Sequence, residues 1–357
     1  MNQPGSPARG RARRPWRPRA ALGWGMLLFV GIQAALVAAL EYRPGARDVG
    51  YSVRRARLRR RLAERPGRPL VLMVGSSRCM FGFRPADLPP CRPPGGEEPL
   101  AFNCAIEGGG PLMDLIFLRR LLAEGVRPDW LLVECWPLAE DNGAFTLVVR
   151  PQRMGWRDLG VLRRYNPDPR QVYREWGELR LLPGFMDRAT LLGEVAPRWG
   201  PPSRDHFLGI DDGGWVPCPW GYTPAQHDLL SRRARENYQL SLANYRHDAT
   251  CDRIFRDLLA LCRREGIRAA LVYLPEARWF RDMYSPTTRA EVADYLGRLS
   301  RDCDVPVIDA RDWVADEDFA DGYHLLSQGA RAFTTRLGEE ALRPLLAGRA
   351  VARKGDP

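Results

Sequence analysis

The sequence predicts an α/β protein with three layers, in which a five-stranded parallel sheet lies between two layers of helices. Short apolar runs alternate with longer segments of helical periodicity, and this alternation is typical of βαβ units. An uncharged apolar stretch near the N-terminus predicts one additional helix that spans a membrane. A composition with 45% hydrophobic and 27% charged residues is that of a globular protein.

The N-terminal region divides into three predicted segments. Residues 1–19 are rich in Arg, Pro and Gly and are expected to be disordered. Residues 20–40 carry no charge, and as a helix they would extend for about 31 Å, which is enough to cross a bilayer. Residues 41–68 are expected to form a basic juxtamembrane linker helix that is solvated or faces lipid headgroups.

The charge distribution predicts a single-pass anchor with a cytoplasmic N-terminus and an extracytoplasmic main domain. Six Arg precede the apolar stretch, and the first 68 residues carry a net charge of +13, which leaves −2 for the remainder. Basicity confined to the flanks of an apolar stretch favours membrane contact over nucleic-acid binding, which is not expected. A cleaved signal peptide is the alternative, because residues 37–39 (Val-Ala-Ala) would suit a signal peptidase.

The main domain is expected at residues 69–346, followed by a disordered tail at 347–357. Its five predicted strands are the apolar runs 71–74, 100–105, 130–135, 269–274 and 305–308. Its predicted helices are 111–124, 251–265, 286–302 and 327–346. Residues 137–250 are too long for a simple connection and predict a helical or irregular insertion that shapes the substrate pocket. We expect its Trp and Tyr residues mostly to fill a small core, with stacking on sugar rings as the alternative.

Cysteine and histidine spacing predicts neither a metal nor another cofactor. The eight cysteines form no C-x-x-C pair, and disulfides involving, for example, Cys91 or Cys218 are expected only in an oxidising compartment. His206, His227 and His247 lie in the insertion without the spacing of metal ligands. No strand is followed by a Walker loop or by G-x-G-x-x-G.

The first candidate site motif follows the first strand, where Gly-Ser-Ser-Arg occupies positions 75–78. Open α/β sheets hold their ligands at this carboxyl edge, so a serine here would meet substrate from a rigid strand. Serines that merely cap a helix are the alternative. Arg78 is a candidate for contact with an anionic substrate, and a structural salt bridge is an equally good interpretation.

Two further motifs follow later strands. Asn103 ends the second strand, and Gly108 and Gly109 follow in a loop whose backbone N–H groups would approach a ligand and stabilise an oxyanion. A helix-initiating glycine loop is the alternative. After the last strand, Asp321 lies three residues before His324, a spacing that lets a carboxylate orient an imidazole base. A surface Asp–His pair is the default for such a short motif. Two further carboxylates, those of Glu134 and Glu276, follow strands and are expected beside the site.

These three motifs resemble the first, second and fifth sequence blocks of the SGNH/GDSL hydrolase superfamily, in the same order and after the same strands. The resemblance covers roughly residues 69–136 and 251–345 and implies a flavodoxin-like sheet. It implies that Ser77 is the nucleophile, with Ser76 as the lesser alternative. It also implies that His324 is the general base, that Asp321 orients the histidine, and that the backbone N–H groups of Ser77 and Gly108 form part of the oxyanion hole.

One departure from the family concerns the third block, which ordinarily supplies an Asn side chain to the oxyanion hole after the third strand. Here the first Asn in this region is Asn142. Asn142 or Asn103 would serve instead, or the hole would have backbone donors alone. Loss of one such donor typically lowers the rate by a factor of about 10²–10³.

The resemblance implies a membrane-anchored serine esterase or O-acyltransferase that acts on acyl esters of cell-envelope carbohydrate or lipid. Related membrane-anchored proteins with Gly-Ser-Ser are linked to O-acetylation or D-alanylation of envelope polymers, which implies polymer-assembly partners. The alternative is an inactive protein of the same fold that binds carbohydrate or acts as an assembly scaffold.

Overall fold

The computed structural model describes residues 18–42, 48–92, 95–136, 153–186, 188, 191–192 and 209–348. It has a five-stranded parallel sheet with helices on both faces, preceded by one apolar N-terminal helix. The predicted fold class is therefore confirmed. The domain boundaries stay predictions, and the segments expected to be disordered lie almost entirely outside the described residues.

Five strands form the sheet in the order β2-β1-β3-β4-β5, and each neighbouring pair is parallel. Leu72 lies opposite Phe102 on one side and Leu131 on the other, and all residues of β1 and β3 are buried. Full burial explains why these strands read as continuous apolar runs instead of alternating ones. The strand bounds are β1 Leu70–Val74, β2 Leu100–Asn103, β3 Trp130–Glu134, β4 Arg268–Tyr273 and β5 Val307–Asp309.

Helices before, between and after the strands complete the fold. They are α1 Pro18–Tyr42, α2 Val49–Glu64, α3 Ser77–Gly82, α4 Pro111–Ala123, α5 Leu159–Tyr165, α6 Pro169–Leu181, α7 Pro183–Met186, α8 Pro224–Ala243, α9 Ala249–Arg264, α10 Arg278–Arg281, α11 Pro286–Cys303, α12 Ser327–Arg336 and α13 Arg343–Leu346. A π-helical segment, Leu337–Leu342, joins the last two. Short 3₁₀ turns occur at Pro85–Asp87, Trp156–Asp158 and Asp316–Asp318.

The chain order explains how the helices divide between the two faces. The chain moves from β1 to β2 in one direction, and then from β3 to β5 in the other. Because such crossovers are right-handed, α3 lies on one face and α4, α9 and α11 on the opposite face. Contacts agree with this, since α9 packs against α4 and α11, whereas α12 packs against α3. The direction reverses between β1 and β3, so their carboxyl ends border the crevice where such sheets bind ligands.

Local sequence explains where several helices begin and end. The side chains of Asp48, Thr223, Asp248 and Ser285 accept hydrogen bonds from N–H groups in the first turns of α2, α8, α9 and α11. At the end of α11, Asp304 adopts a left-handed conformation with φ of +54°. These caps fix the helix starts that hydrophobic periodicity alone leaves uncertain by a few residues.

Helix α2 differs from the expected solvated linker, because it packs onto the main domain. Tyr51 and Leu58 are buried, and the Tyr51 ring lies 4.8 Å from that of Phe117 on α4. On the same helix, Arg55 forms an ion pair with Glu124. Its sparse apolar positions and its arginines are therefore used for contacts within the protein.

The described parts of the insertion, 153–186, 188, 191–192 and 209–250, are mainly helical. Trp215 and Tyr245 are buried, in line with the core interpretation of its aromatic residues, whereas Trp156 is exposed. All eight cysteines are free, Cys91 and Cys218 included, so the conditional disulfides are not formed.

Candidate active site

The chain turns sharply at Gly75, between β1 and α3. Gly75 has φ of +151°, and a Cβ atom there would lie 2.6 Å from Glu134 Oε2, so glycine alone fits this turn. Ser76 is the N-cap of α3, and its Oγ accepts a hydrogen bond from the Arg78 N–H at 3.2 Å. Ser76 is therefore the serine that caps the helix, whereas the hydroxyl of Ser77 is not used for capping.

Ser77, His324 and Asp321 form one continuous hydrogen-bonded chain. Ser77 Oγ lies 2.8 Å from His324 Nε2, and His324 Nδ1 lies 2.8 Å from Asp321 Oδ2. The other carboxylate oxygen of Asp321 accepts the backbone N–H groups of Tyr323 and His324 at 3.2 and 2.9 Å. With the ring proton on Nδ1, Nε2 is available to accept the serine proton.

A tight loop holds the Asp–His pair. Phe319 and Leu325 form an isolated antiparallel bridge at its ends, and the Ala320 N–H donates to the carbonyl of His324 at 2.8 Å. Gly221, from the insertion, has φ of +87° and packs so closely on Ala320 that a Cβ atom would overlap it. The histidine loop is therefore positioned by the insertion as well as by the sheet.

Aromatic rings surround the imidazole of His324. The ring centroids of Tyr323, Phe81 and Trp220 lie 4.2, 5.5 and 6.0 Å from that of His324. Only 6% of His324 is exposed. Hydrogen bonds are electrostatically stronger in such a water-poor environment, so this enclosure favours the serine–histidine–aspartate alignment.

Arg78 points into the domain and not towards a substrate. Its side chain is 1% exposed, and Nη2 donates to the carbonyls of Leu274 and Pro275 at 3.2 and 3.1 Å. The guanidinium also pairs with Glu276 at 3.3 Å and Glu134 at 3.7 Å. The structure therefore contradicts the expected contact between Arg78 and an anionic substrate and supports the salt-bridge interpretation.

The two carboxylates around Arg78 support the nucleophile turn, as expected from their positions at strand ends. Glu134 Oε2 accepts the Ser76 N–H at 2.6 Å, which fixes the residue before the candidate nucleophile. Glu276 Oε1 accepts hydrogen bonds from Tyr284 and Trp136. Burial raises the pKa of Glu276, although the Arg78 charge opposes that effect.

Asn103 is not directed at a substrate oxygen. Its side-chain N–H groups donate to the carbonyls of Cys79 and Phe83 at 2.8 and 2.7 Å, and its oxygen accepts the Ala105 N–H at 3.0 Å. Asn103 is fully buried. It therefore ties α3 to the end of β2, and its expected role as an oxyanion donor is contradicted.

The glycine loop after β2 lies against the nucleophile turn. Ile106 N–H donates to the Gly75 carbonyl at 3.1 Å, and a Cβ atom on Gly109 would overlap that same carbonyl oxygen. Gly109 therefore serves close backbone packing, while Gly108 adopts φ of +66° beside it. Among the described residues, the N–H groups of Ser77 and Gly108 have no hydrogen-bond acceptor, which leaves both available to an oxyanion.

Trp136 lies two residues after the end of β3. Its ring stacks on Tyr323 with centroids 5.6 Å apart, and the Arg78 guanidinium lies 4.7 Å from its centroid. Asn142, the other proposed oxyanion donor, lies outside the described residues. The described part of the site therefore offers backbone donors alone.

No group of three or more His, Cys, Asp or Glu side chains suited to a metal ion occurs within the described residues. His247 stacks on Tyr295 at 3.8 Å between ring centroids, and burial lowers its pKa. His227 lies on α8, and His206 falls outside the described part of the chain.

Sequence reasoning did not identify the aromatic residues around the histidine. Trp220 belongs to the insertion, whose placement no periodicity could give, and Tyr238 on α8 lies 5.3 Å from Tyr323 between ring centroids. Trp136 had one usable signal, because it directly follows a predicted strand at the same edge of the sheet as Ser77.

Comparisons with known proteins give little beyond the architecture. No protein-family model matches the chain, and no curated protein matches it. Among solved structures, the chain is similar to that of a "putative acylhydrolase" from Bacteroides fragilis NCTC 9343. That similarity has a TM-score of 0.36 and 12% identity, and it covers 82% of this chain and 98% of the other. No inference about the site rests on it.

Proposed function

We propose that the protein is a membrane-anchored serine esterase or O-acyltransferase of the SGNH/GDSL type. Its substrates would be acyl esters of cell-envelope carbohydrate or lipid. The observation that carries the proposal is the hydrogen-bonded chain from Ser77 Oγ through His324 to Asp321, with both links at 2.8 Å. A serine hydroxyl is a weak nucleophile, and an adjacent imidazole oriented by a carboxylate is the standard means of activating it.

The proposed reaction has two halves. Ser77 Oγ forms a bond to the ester carbonyl carbon while its proton passes to His324 Nε2. The tetrahedral intermediate then expels the alcohol, which takes that proton, and leaves an acyl-serine. In the second half, water or a sugar hydroxyl gives its proton to Nε2 and attacks the acyl carbon, and the bond to Ser77 Oγ then breaks as Nε2 returns the proton to that oxygen. Asp321 stabilises the imidazolium in both halves and does not itself take a proton.

The negative oxygen of each tetrahedral intermediate would be held by the N–H groups of Ser77 and Gly108. With no Asn side chain among the described candidates, we expect a rate about 10²–10³ lower than with a third donor. A slow enzyme with a dry site suits transfer to a bound hydroxyl, because fewer water molecules compete for the acyl-serine.

The anchor component of the proposal rests on α1. Residues Ala20–Tyr42 are long enough to cross a bilayer, and their most apolar 18 residues have a mean hydropathy of 1.9 and include no fully buried residue. We propose a cytoplasmic N-terminus and an extracytoplasmic catalytic domain, because six Arg precede the helix. Assembly proteins of an envelope polymer are the proposed partners.

A non-catalytic scaffold is the second candidate. The observation in its favour is that the described site has no side-chain donor for an oxyanion. The Asn103 side chain donates to backbone carbonyls, and Trp136 is the residue that follows shortly after the end of β3 at this edge. Retention of the Ser–His–Asp chain favours the enzyme, since a scaffold does not need a histidine aligned on a serine.

The test is labelling of the full-length protein in detergent micelles with a fluorescent fluorophosphonate, which reacts with activated serines. We expect labelling of the parent and of Ser76→Ala, and none of Ser77→Ala or His324→Ala. Asp321→Asn should slow labelling by about 10⁴-fold, because the amide imposes the wrong imidazole tautomer. Circular dichroism verifies that each variant is folded.

Two outcomes would count against the proposal. An unlabelled but folded parent would favour the scaffold, and binding to acylated envelope polysaccharide would then be measured. Labelling lost in Ser76→Ala and kept in Ser77→Ala would reverse the assignment of the nucleophile.

A further inference from the structure

We propose that the described residues between 181 and 192 (181–186, 188, 191 and 192) form a second membrane-contacting element, which enters the bilayer beside α1 and takes lipid acyl chains as its partner. The inference rests on the proposed membrane anchoring and goes beyond it, because these residues lie about 150 positions from the anchor in the sequence. Three observations support it: the length of free anchor helix, the contacts of α7, and the exposed side chains around α7.

The exposed part of α1 is too short to cross a membrane. Residues 20–32 are exposed throughout, whereas partial burial begins at Gln33. Thirteen residues of helix extend for about 20 Å, but the hydrocarbon core is about 30 Å thick. The helix therefore crosses the bilayer only if its next turns, 33–40, also lie within the hydrocarbon.

Those turns are where the insertion packs on α1. The Gly184 N–H on α7 donates to Gln33 Oε1 at 3.1 Å, and Leu40 is buried. Eight residues further along α1, Glu41 pairs with Arg180 at 3.2 Å. Eight helical residues correspond to about 12 Å, so the chain from Arg180 to Gly184 runs along α1 towards the centre of the membrane.

The segment has the surface of a lipid-facing element. Four large apolar side chains are exposed on α7 or near it in the sequence, with exposed fractions of 70% for Leu181, 45% for Leu182, 61% for Phe185 and 42% for Leu192. Exposed large apolar side chains are unfavourable in water and favourable in hydrocarbon.

Polar groups on and around α7 have hydrogen-bond partners within the protein, as hydrocarbon requires. Backbone groups in hydrocarbon need partners within the protein, and Gln33, the one amide in residues 20–40, accepts the Gly184 N–H. Arg188 donates to the Phe185 carbonyl at 2.7 Å, and its guanidinium lies 4.5 Å from the Phe185 ring centroid. A long arginine side chain can reach the headgroup level from such a position.

Aromatic residues mark the level at which the segment would leave the membrane. Tyr42 ends α1 and is exposed, and Trp156, also exposed, follows Gly155, which lies beside Glu41. Half-buried Trp176 lies under the Arg180 guanidinium at 3.8 Å. Tyr and Trp are enriched at membrane–water interfaces, so these residues fit the boundary above the inserted segment.

The test is photolabelling of the full-length protein in phosphatidylcholine vesicles that contain a phospholipid with a diazirine on its acyl chain. Mass spectrometry then locates the labelled peptides. We expect labels on α1 and on residues 181–192. The matched control is α8, where Leu240 is 77% exposed. We expect no label there.

A charge placed in the segment sharpens the test. Phe185→Asp should abolish labelling of residues 181–192 and leave labelling of α1 unchanged, whereas Leu240→Asp should change neither. Labelling of α1 without residues 181–192 in the parent would overturn this inference and keep the anchor. Absence of label from both would overturn the anchor itself. Neither readout depends on catalytic activity.

Discussion

Ser76 and Ser77 are chemically identical neighbours with different tasks. Ser76 stands at the N-cap, where a side-chain oxygen turns back to accept the Arg78 N–H. Ser77 stands at the first helical position, so its hydroxyl projects from the helix and reaches His324. The structural serine and the candidate nucleophile are therefore adjacent residues. Glu134 holds the backbone at this point because it accepts the Ser76 N–H.

Asp114 on α4 is a buried carboxyl group that the proposed reaction does not use. Burial, reinforced by the Glu134 charge, raises its pKa well above the ordinary 3.8. The folded protein then keeps a proton on Asp114 at pH values where the unfolded chain has lost it. By linkage, the free energy of unfolding falls as pH rises above about 3.8, by up to about 1.4 kcal/mol per pH unit from this group.

Asp114→Asn should remove that contribution. We predict that the decline of the free energy of unfolding between pH 5 and pH 8 becomes shallower in this variant, as measured by urea denaturation in micelles. Asp294→Asn, an exposed aspartate on α11, is the matched control and should leave the slope unchanged. An unchanged slope in Asp114→Asn would mean that Asp114 is ionised in the folded protein.

At the scale of elements, α2 acts as part of the domain. Leu58 is fully buried, and arginines of the same helix contact Glu124, Asp212 and the Ile210 carbonyl. A 16-residue helix so rich in arginine gains most of its stability from this packing, because repulsion between like charges opposes its formation in isolation.

Leu58→Ala should therefore lower the free energy of unfolding of the whole domain by about 2–5 kcal/mol. Leu240→Ala makes the same chemical change at an exposed helical position and should cost less than about 0.5 kcal/mol. Urea denaturation followed by far-UV circular dichroism measures both. Equal, small effects would mean that α2 is the solvated linker expected from its sequence.

The sheet was predictable because buried parallel strands are short, continuous and apolar, and each predicted run matches its strand to within two residues. The structure brings Ser77, Asp321 and His324 together, and each follows a recognisable strand, while their catalytic roles stay predictions. Of the two interpretations of Arg78, the structure supports the salt bridge, and the Asn103 side chain binds backbone carbonyls instead of facing an oxyanion. A polar residue at a strand end faces either substrate or protein, and only the packing of α3 against β2 and β4 decides which.

The rest of the site was beyond prediction because the insertion supplies it. Trp220 and Gly221 contact the histidine loop from a segment with no periodic relation to the sheet. Tertiary contacts of this kind leave no local pattern in the sequence.

The whole molecule combines a basic N-terminus, one apolar helix and a nearly neutral domain. Within 15 residues of the span 20–40, six Arg precede it and four follow it, and this asymmetry favours a cytoplasmic N-terminus. The arginines of α2 begin only at Arg54 and weaken the asymmetry, which disappears when 20 residues are counted on each side.

We therefore predict that an epitope at the N-terminus reacts with antibody only after cells are permeabilised, whereas one at the C-terminus reacts on intact cells. Replacing the six leading Arg by Gln should lower the fraction with this orientation, because the asymmetry is then lost. A C-terminal epitope that is hidden in intact cells would contradict the proposed orientation.

The hydrogen bond between Ser77 and His324 joins residues that are 247 positions apart. A ribosome adds about 5–20 residues per second, so the serine exists for about 12–50 s before its histidine has been made. Throughout that interval the Ser77 hydroxyl of the nascent chain lacks the imidazole of His324. Under the proposed mechanism, Ser77 therefore gains its base only after the last strand has been made, and a chain truncated before residue 324 would not react with the fluorophosphonate.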